Sequence, residues 1–226
     1  MNLQKRLPNI SIVIPCFLKS NKHLSMSCRC IDTIKKCTTL PYELIIVENS
    51  DEPLLEDECD THIYSNKFKS FAVNVNEGLH KSKSDYTVLV SNDIFVEDGW
   101  LEGMLKCFED SKCGVSYPLS RQFNIDREDK IEPWFFGAIW MVSKEAIAKV
   151  GYLDERFINS FEDSDYWIRM MMSGYSLLLN RNVLVEHLVG ATAYGIDSHT
   201  ENYKKNQKLF IEKHKDCGLD IYQDLK

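Results

Sequence analysis

The sequence predicts an α/β protein with a mostly parallel central sheet flanked by helices. Three observations carry that expectation. Residues 10–14 (ISIVI), 43–47 (ELIIV) and 86–90 (YTVLV) are short, nearly unbroken apolar runs rich in β-branched residues, the pattern of strands covered on both faces. Segments of helical period lie between them, so strand and helix alternate. Two strand ends carry polar clusters, Glu48-Asn49-Ser50-Asp51 and Ser91-Asn92-Asp93, and parallel sheets bind ligands at the carboxyl ends of their strands.

Residues 10–14 open the sheet, and Pro15 is expected to end that strand. A helix over about 23–36 leads to the strand at 43–47, and 61–64 reads as a short third strand. Residues 71–81 have helical period and precede the strand at 86–90. Beyond it, 100–108 is a helix candidate, 112–117 a strand and 121–132 a charged loop. The run 135–142 (FFGAIWMV) reads as buried, and 144–150 as a short helix closed by Gly151. A further helix starts near Ser160 and stops at Gly174, with two short strands expected at 177–179 and 183–185. Residues 201–214 form an amphipathic, lysine-rich helix. No repeat, low-complexity tract or linker divides the chain, so one domain is expected over 1–226.

A chain of 226 residues, 44% hydrophobic and 11% aromatic, is long enough for one ordinary core and too apolar for disorder. Its net charge of −7 argues against general nucleic-acid binding, which calls for a basic surface. No apolar run approaches the roughly 18 residues of a membrane span, and no signal-peptide pattern follows the basic start. A cytoplasmic protein, working at most beside a membrane, is therefore expected. The 8 cysteines are scattered, as reduced thiols would be. His23, Cys28, Cys30 and Cys37 lie near one another but lack the paired spacing of a structural zinc site. Leu24, Cys28, Ile31 and Ile34 read better as an apolar helix stripe.

A series of motifs runs along the chain. It opens with Ile10-Ser11-Ile12-Val13-Ile14-Pro15, continues through 45–51 (IIVENSD), and reaches Phe71-Ala72 and Asn76-Glu77-Gly78. Ser91-Asn92-Asp93 and Asp98-Gly99-Trp100-Leu101 follow. Then come 150–157 (VGYLDERF), Phe161-Glu162-Asp163-Ser164-Asp165, Gly174-Tyr175, and His187 with Gly190. No single block is specific, but the ordered series over about 8–215 resembles the inverting glycosyltransferases of the family 2 type. The resemblance implies a single GT-A, Rossmann-like domain. Its nucleotide-binding part would span about 8–110, its acceptor and catalytic part about 111–200, and a C-terminal helix about 201–214. It also implies a nucleotide-diphosphate sugar as donor, a hydroxyl-bearing acceptor, and Mn²⁺ or Mg²⁺ as cofactor.

Sugar transfer from such a donor makes three chemical demands. The departing diphosphate gathers negative charge, which a divalent cation can hold. Asp93 offers a hard oxygen ligand and His187 a second ligand from a later loop; the plainer alternatives are a loop cap and an ordinary histidine. The acceptor hydroxyl must lose a proton, and the resemblance assigns that to Asp163 with Glu162 beside it. Ser160-Phe161-Glu162-Asp163 also reads as a capping box, in which the acids simply suit a helix start. Finally, the nucleotide must be held, and the expected contacts are Pro15, Cys16, Phe17, Glu48, Asn76, Ser91 and Asn92. Glu48 and Ser91 both stand where the family more often carries Asp, and Glu48 is equally readable as a solvated loop acid.

Trp134 and Asp165 are candidates for the acceptor side. Trp134 is also readable as core packing, and Asp165 as a surface partner of Arg169 one helical turn on. The lysines at 204, 205, 208, 213 and 215 read as a solvated helix face, with Phe210 and Ile211 packed inward. A sugar-nucleotide pyrophosphorylase or a dinucleotide-binding dehydrogenase would need a glycine-rich loop after the first strand, where Pro15-Cys16-Phe17-Leu18 stands instead. A non-catalytic nucleotide- or sugar-binding protein on a degenerate GT-A fold is the remaining alternative.

Overall fold

The computed structural model describes residues 9–121, 137–188 and 199–218. Its strands are β1 (Ile10–Phe17), β2 (Glu43–Asn49), β3 (Thr61–Ser65), β4 (Tyr86–Val90), β5 (Ile94–Phe95), β6 (Cys113–Ser120), β7 (Ile139–Ser143) and β8 (Ser176–His187). The helices are α1 (Asn21–Cys37), α2 (Phe71–Lys81), α3 (Trp100–Lys106), α4 (Lys144–Val150), α5 (Glu162–Met172) and α6 (His199–His214). The strands form one sheet in the order β3-β2-β1-β4-β7-β6-β8-β5. Strands β1 to β4 pair in parallel, β7 runs antiparallel to β4 and β6, and β6 pairs in parallel with β8.

Alternation along the central strands divides the core. Ile12, Ile14, Ile46, Val88 and Val90 pack with Met26, Ile31 and Ile34 of α1 and with Trp100 and Met104 of α3. Val13, Ile45, Val47 and Leu89 face the other way, against Ala72, Val75 and Leu79 of α2 and Tyr166, Trp167 and Met170 of α5. A Cβ at Gly78 would overlap the Val13 side chain, so α2 lies closer to β1 than any larger residue permits. Ser20 and Ser70 cap α1 and α2 by accepting from the amides of His23 and Val73. Among the described residues no helix is long and apolar enough to cross a membrane.

The structure corrects four expectations. Strand β1 continues through Pro15 to Phe17, because its ladder to β4 stops at Val13↔Leu89 and leaves the adjoining edge free to accept a residue without an N–H. The two short strands expected at 177–179 and 183–185 are one strand, β8. Its pairing jumps from Pro118↔Asn180 to Leu119↔Leu184, so the polar Asn180-Arg181-Asn182 marks an irregularity inside the strand. Lys213 is not solvated: its ammonium lies 2.7 Å from Asp154 and 2.6 Å from Asp165. Phe210 is buried as expected, but Ile211 is exposed.

Candidate active site

The carboxyl ends of β1 and β2 open onto a cleft of about 170 Å³ lined by Leu18, Lys19, Ser20, Ser50, Asp51 and Leu54, among others. Phe17, the half-buried last residue of β1, meets the exposed Phe68 edge-on with ring centroids 5.7 Å apart. At the end of β4 the chain turns sharply, with Ile94 N–H donating to the Ser91 carbonyl. Asn92 is buried and donates from Nδ2 to Ser27 Oγ on α1 at 2.8 Å. Ser91 is half-buried, and its N–H donates to the Ala138 carbonyl at 2.7 Å.

Asp93 and His187 come together. The pairing of β5 with the last residues of β8 brings His187 Nε2 within 3.3 Å of Asp93 Oδ2. The Leu188 amide also donates to the Asp93 carbonyl at 3.0 Å. Both side chains are largely enclosed.

The acid pair stands at the start of α5, after an unusual stretch of backbone. Asn159 (φ 57°) and Phe161 (φ 69°) both adopt the left-handed conformation, which costs a non-glycine residue about 1–2 kcal/mol. The helix begins at Glu162 with no side-chain cap on Phe161, so the capping box expected from Ser160 does not form. Glu162 is buried, and among the described residues its Oε2 has no hydrogen-bond partner. Burial, reinforced by the neighbouring Asp163 charge, pushes its carboxyl up to about 8. Burial likewise raises Asp163 above the usual carboxylate range, opposed by the Ser164 amide that donates to its Oδ1 at 2.7 Å.

Asp163 lies directly against Gly137, where an added Cβ would overlap its Oδ2. Gly137 is bonded in sequence to Ala138, whose carbonyl receives the Ser91 amide two residues before Asp93. Asp163 and the Asp93–His187 pair, far apart in the chain, are thus each linked to the junction of β4 and β7, the one through Gly137 and Ala138 and the other through Ser91.

Residues 11–188 match the glycosyl transferase family 2. The chain belongs to this family. The transferase is 25% identical to the uncharacterized glycosyltransferase YwdF of Bacillus subtilis (strain 168), over 71% of this chain and 67% of that one. Its fold is similar to that of the mannosyltransferase PcManGT from Pyrobaculum calidifontis in complex with GDP-Man and Mn²⁺. That likeness has a TM-score of 0.70 at 14% identity over 90% of this chain. It also resembles GalNAc-T7 with UDP, GalNAc and Mn²⁺, with a TM-score of 0.67 at 14% identity over 97% of this chain. The chain spans 65% and 53% of those two structures. The fold is therefore GT-A, and the protein is an enzyme of the glycosyltransferase type.

Several residues expected to touch ligands in the transferase are instead committed to the scaffold. Glu48 is neither solvated nor open to a base. It is fully buried, and its two oxygens accept from the amides of Leu54 (2.9 Å) and Leu55 (3.1 Å), from Ser50 Oγ and from His62 Nε2 (2.8 Å). It thereby shapes the loop that walls the cleft. Asn76 donates to the Leu153 carbonyl and to Glu155, and accepts from the Leu153 amide, pinning the turn before α5 onto α2. Pro15 and Cys16 lie buried inside β1, so of that trio only Phe17 is partly exposed.

Asp165 does not face an acceptor. It is buried and bonded to Arg169 Nε, to His214 Nε2 (both 2.8 Å) and to Lys213, which ties α5 to α6. Trp134 lies outside the described residues. The sequence reading passed over Gly137 and Asn206. A glycine inside the apolar run 135–142 was a signal for the first; nothing local marked the second.

Proposed function

We propose that this transferase moves a sugar from a nucleoside-diphosphate donor to an acceptor hydroxyl, with inversion at the anomeric carbon. The observation that carries the reading is the Glu162–Asp163 pair, one oxygen of it buried and, among the described residues, unpartnered, with Asp163 against Gly137. Under it, the donor half spans about 8–110, the acceptor and catalytic part about 111–200, and the C-terminal helix about 201–214.

Asp93 and His187 fit a hard divalent cation, Mn²⁺ or Mg²⁺. Asp93 Oδ2 and His187 Nε2 stand 3.3 Å apart, close enough for both to hold one small cation. Among the described residues no third His, Cys, Asp or Glu joins them, so a cation held there would also need oxygens from the diphosphate or water. Such a cation would neutralise the charge that gathers on the diphosphate as it departs. Mn²⁺ in both solved relatives agrees with this assignment.

The chain's own residues supply the rest. The cleft at the ends of β1 and β2 receives the nucleoside, with Leu18, Leu24 and Leu54 as its apolar wall and Ser20, Ser50 and Asp51 as its polar groups. Asp163 accepts the proton of the acceptor hydroxyl as that oxygen bonds to the anomeric carbon. The bond from that carbon to the diphosphate oxygen breaks, and its electron pair leaves with the nucleoside diphosphate. Burial and the neighbouring Asp163 charge favour the protonated form of Glu162, so the two carboxyls act as a coupled pair that resists carrying two negative charges.

Incubation with GDP-mannose, UDP-glucose and UDP-N-acetylgalactosamine, with released diphosphate measured, tests the proposal. Turnover of at least one donor that stops in chelator and returns with Mn²⁺ or Mg²⁺ is expected. Unchanged turnover in chelator removes the metal assignment, and transfer with retained anomeric configuration removes the inverting mechanism.

A further inference from the structure

The α5 acids are held in place from a part of the chain that lies beyond the family match, which ends at residue 188. Asn206 on α6 is buried, and its side chain bonds to the turn preceding the acid pair. Its Nδ2 donates to the carbonyls of Ile158 and Ser160 (3.0 Å each) and to Ser160 Oγ (2.8 Å). Its Oδ1 accepts from the Ile158 amide at 3.4 Å. This turn holds the two left-handed residues, Asn159 and Phe161, and such conformations persist only where the surroundings over-determine them.

A second grip lies on the other side of the pair. Asp165, two residues beyond Asp163, receives His214 and Lys213 from the end of the same helix. Between the two grips, Phe210 packs on Phe157 and Phe161, with ring centroids 6.5 Å and 5.2 Å away. The helix thus brackets Glu162 and Asp163 without touching them in any contact described here.

We infer that Asn206 is a positioning residue for the transfer reaction: it fixes the 158–161 turn, and through that turn the direction in which Asp163 meets the acceptor. The inference rests on the reading of Asp163 as the base. A carboxylate displaced by about 1 Å can lose on the order of 10²-fold in rate, so a remote amide can matter as much as a nearby one. Asn206→Ala lowers kcat 10-fold or more and leaves the donor KM within about twofold, because the cleft and Asp93 sit on other elements. Ser160→Ala removes one of the four contacts and lowers kcat less. Lys204→Ala, on the exposed side of the same helix, changes neither constant.

Three further measurements separate the outcomes. Hydrogen exchange should quicken across 158–165 in Asn206→Ala and stay unchanged across 86–90, a readout that needs no substrate and that Ser160→Ala repeats more weakly if the alanine variant folds poorly. Adding Asn206→Ala to Asp163→Asn should cost little more than Asp163→Asn alone, because both act through one carboxylate. If Asp163→Asn keeps full turnover, the base assignment fails. If it abolishes turnover while Asn206→Ala leaves kcat and exchange unchanged, or lowers kcat equally in both backgrounds, the positioning role is overturned and the base assignment stands.

Discussion

Two buried glutamates in this fold lead opposite lives. Glu48, at the end of β2, has both oxygens occupied by two backbone amides, a hydroxyl and an imidazole. Glu162, at the start of α5, is just as enclosed, yet among the described residues one oxygen has no partner. A buried carboxylate without partners costs stability, so a fold keeps one where something other than stability needs it. The satisfied acid braces the loop that walls the cleft at the ends of β1 and β2. The unsatisfied one sits beside Asp163, which lies against Gly137.

The largest test of this contrast is Asp163→Asn, which should lower kcat roughly 10²–10⁴-fold while leaving the melting temperature near that of the wild type. A variant that loses stability instead would make the pair another scaffold element. Glu48→Ala should behave in the opposite way. Stranding the groups around it should destabilise the fold by roughly 3–5 kcal/mol, read as a fall in Tm on the order of 10 °C. A Tm within a degree of wild type would show that those bonds hold nothing together.

Gly137→Ala comes next. The new methyl must push Asp163 aside, and a fall in kcat of about 10²-fold with donor KM unchanged is expected. The smallest effect, and the sharpest, is pH-dependent. The folded carboxyl of Glu162 titrates at about 8, above its ordinary value of 4.5. The folded state therefore holds a proton that the unfolded chain has released, and this group's contribution to stability falls as pH rises between those two values. Glu162→Gln removes that loss. Its Tm should exceed the wild-type Tm at pH 8 and match it at pH 5. An advantage that is equal at both pH values would show that the acid is not protonated in the fold.

The same contrast explains what the sequence could and could not disclose. Buried strands such as 10–14 and 86–90 announce themselves, because composition and length alone mark a strand covered on both faces. Strand β8 did not. Asn180-Arg181-Asn182 looks like a turn, and only the ladder to β6, about 60 residues earlier, shows it to be an irregularity in one strand. The α5 start misled for a related reason. Ser160 has the right chemistry for a cap, but Asn206, 46 residues later, takes its hydroxyl and holds the backbone left-handed. For the acids, residue type says nothing about partners: Glu48, Asp165 and Glu162 look alike in a sequence and differ only in how many donors the fold brings to each. The motif series also singled out Asp93, His187 and Asp163; the fold pairs the first two and sets the third against Gly137.

The proposed function divides the labour: Asp93 would hold the donor's diphosphate through a cation, and Asp163 would act on the acceptor alone. Thermal stability measured with UDP or GDP, with and without Mn²⁺, in Asp93→Asn and Asp163→Asn tests it most directly. The account predicts a Mn²⁺-dependent rise in Tm with nucleotide in the wild type and in Asp163→Asn, and none in Asp93→Asn. A full rise in Asp93→Asn, or its loss in Asp163→Asn, would contradict it.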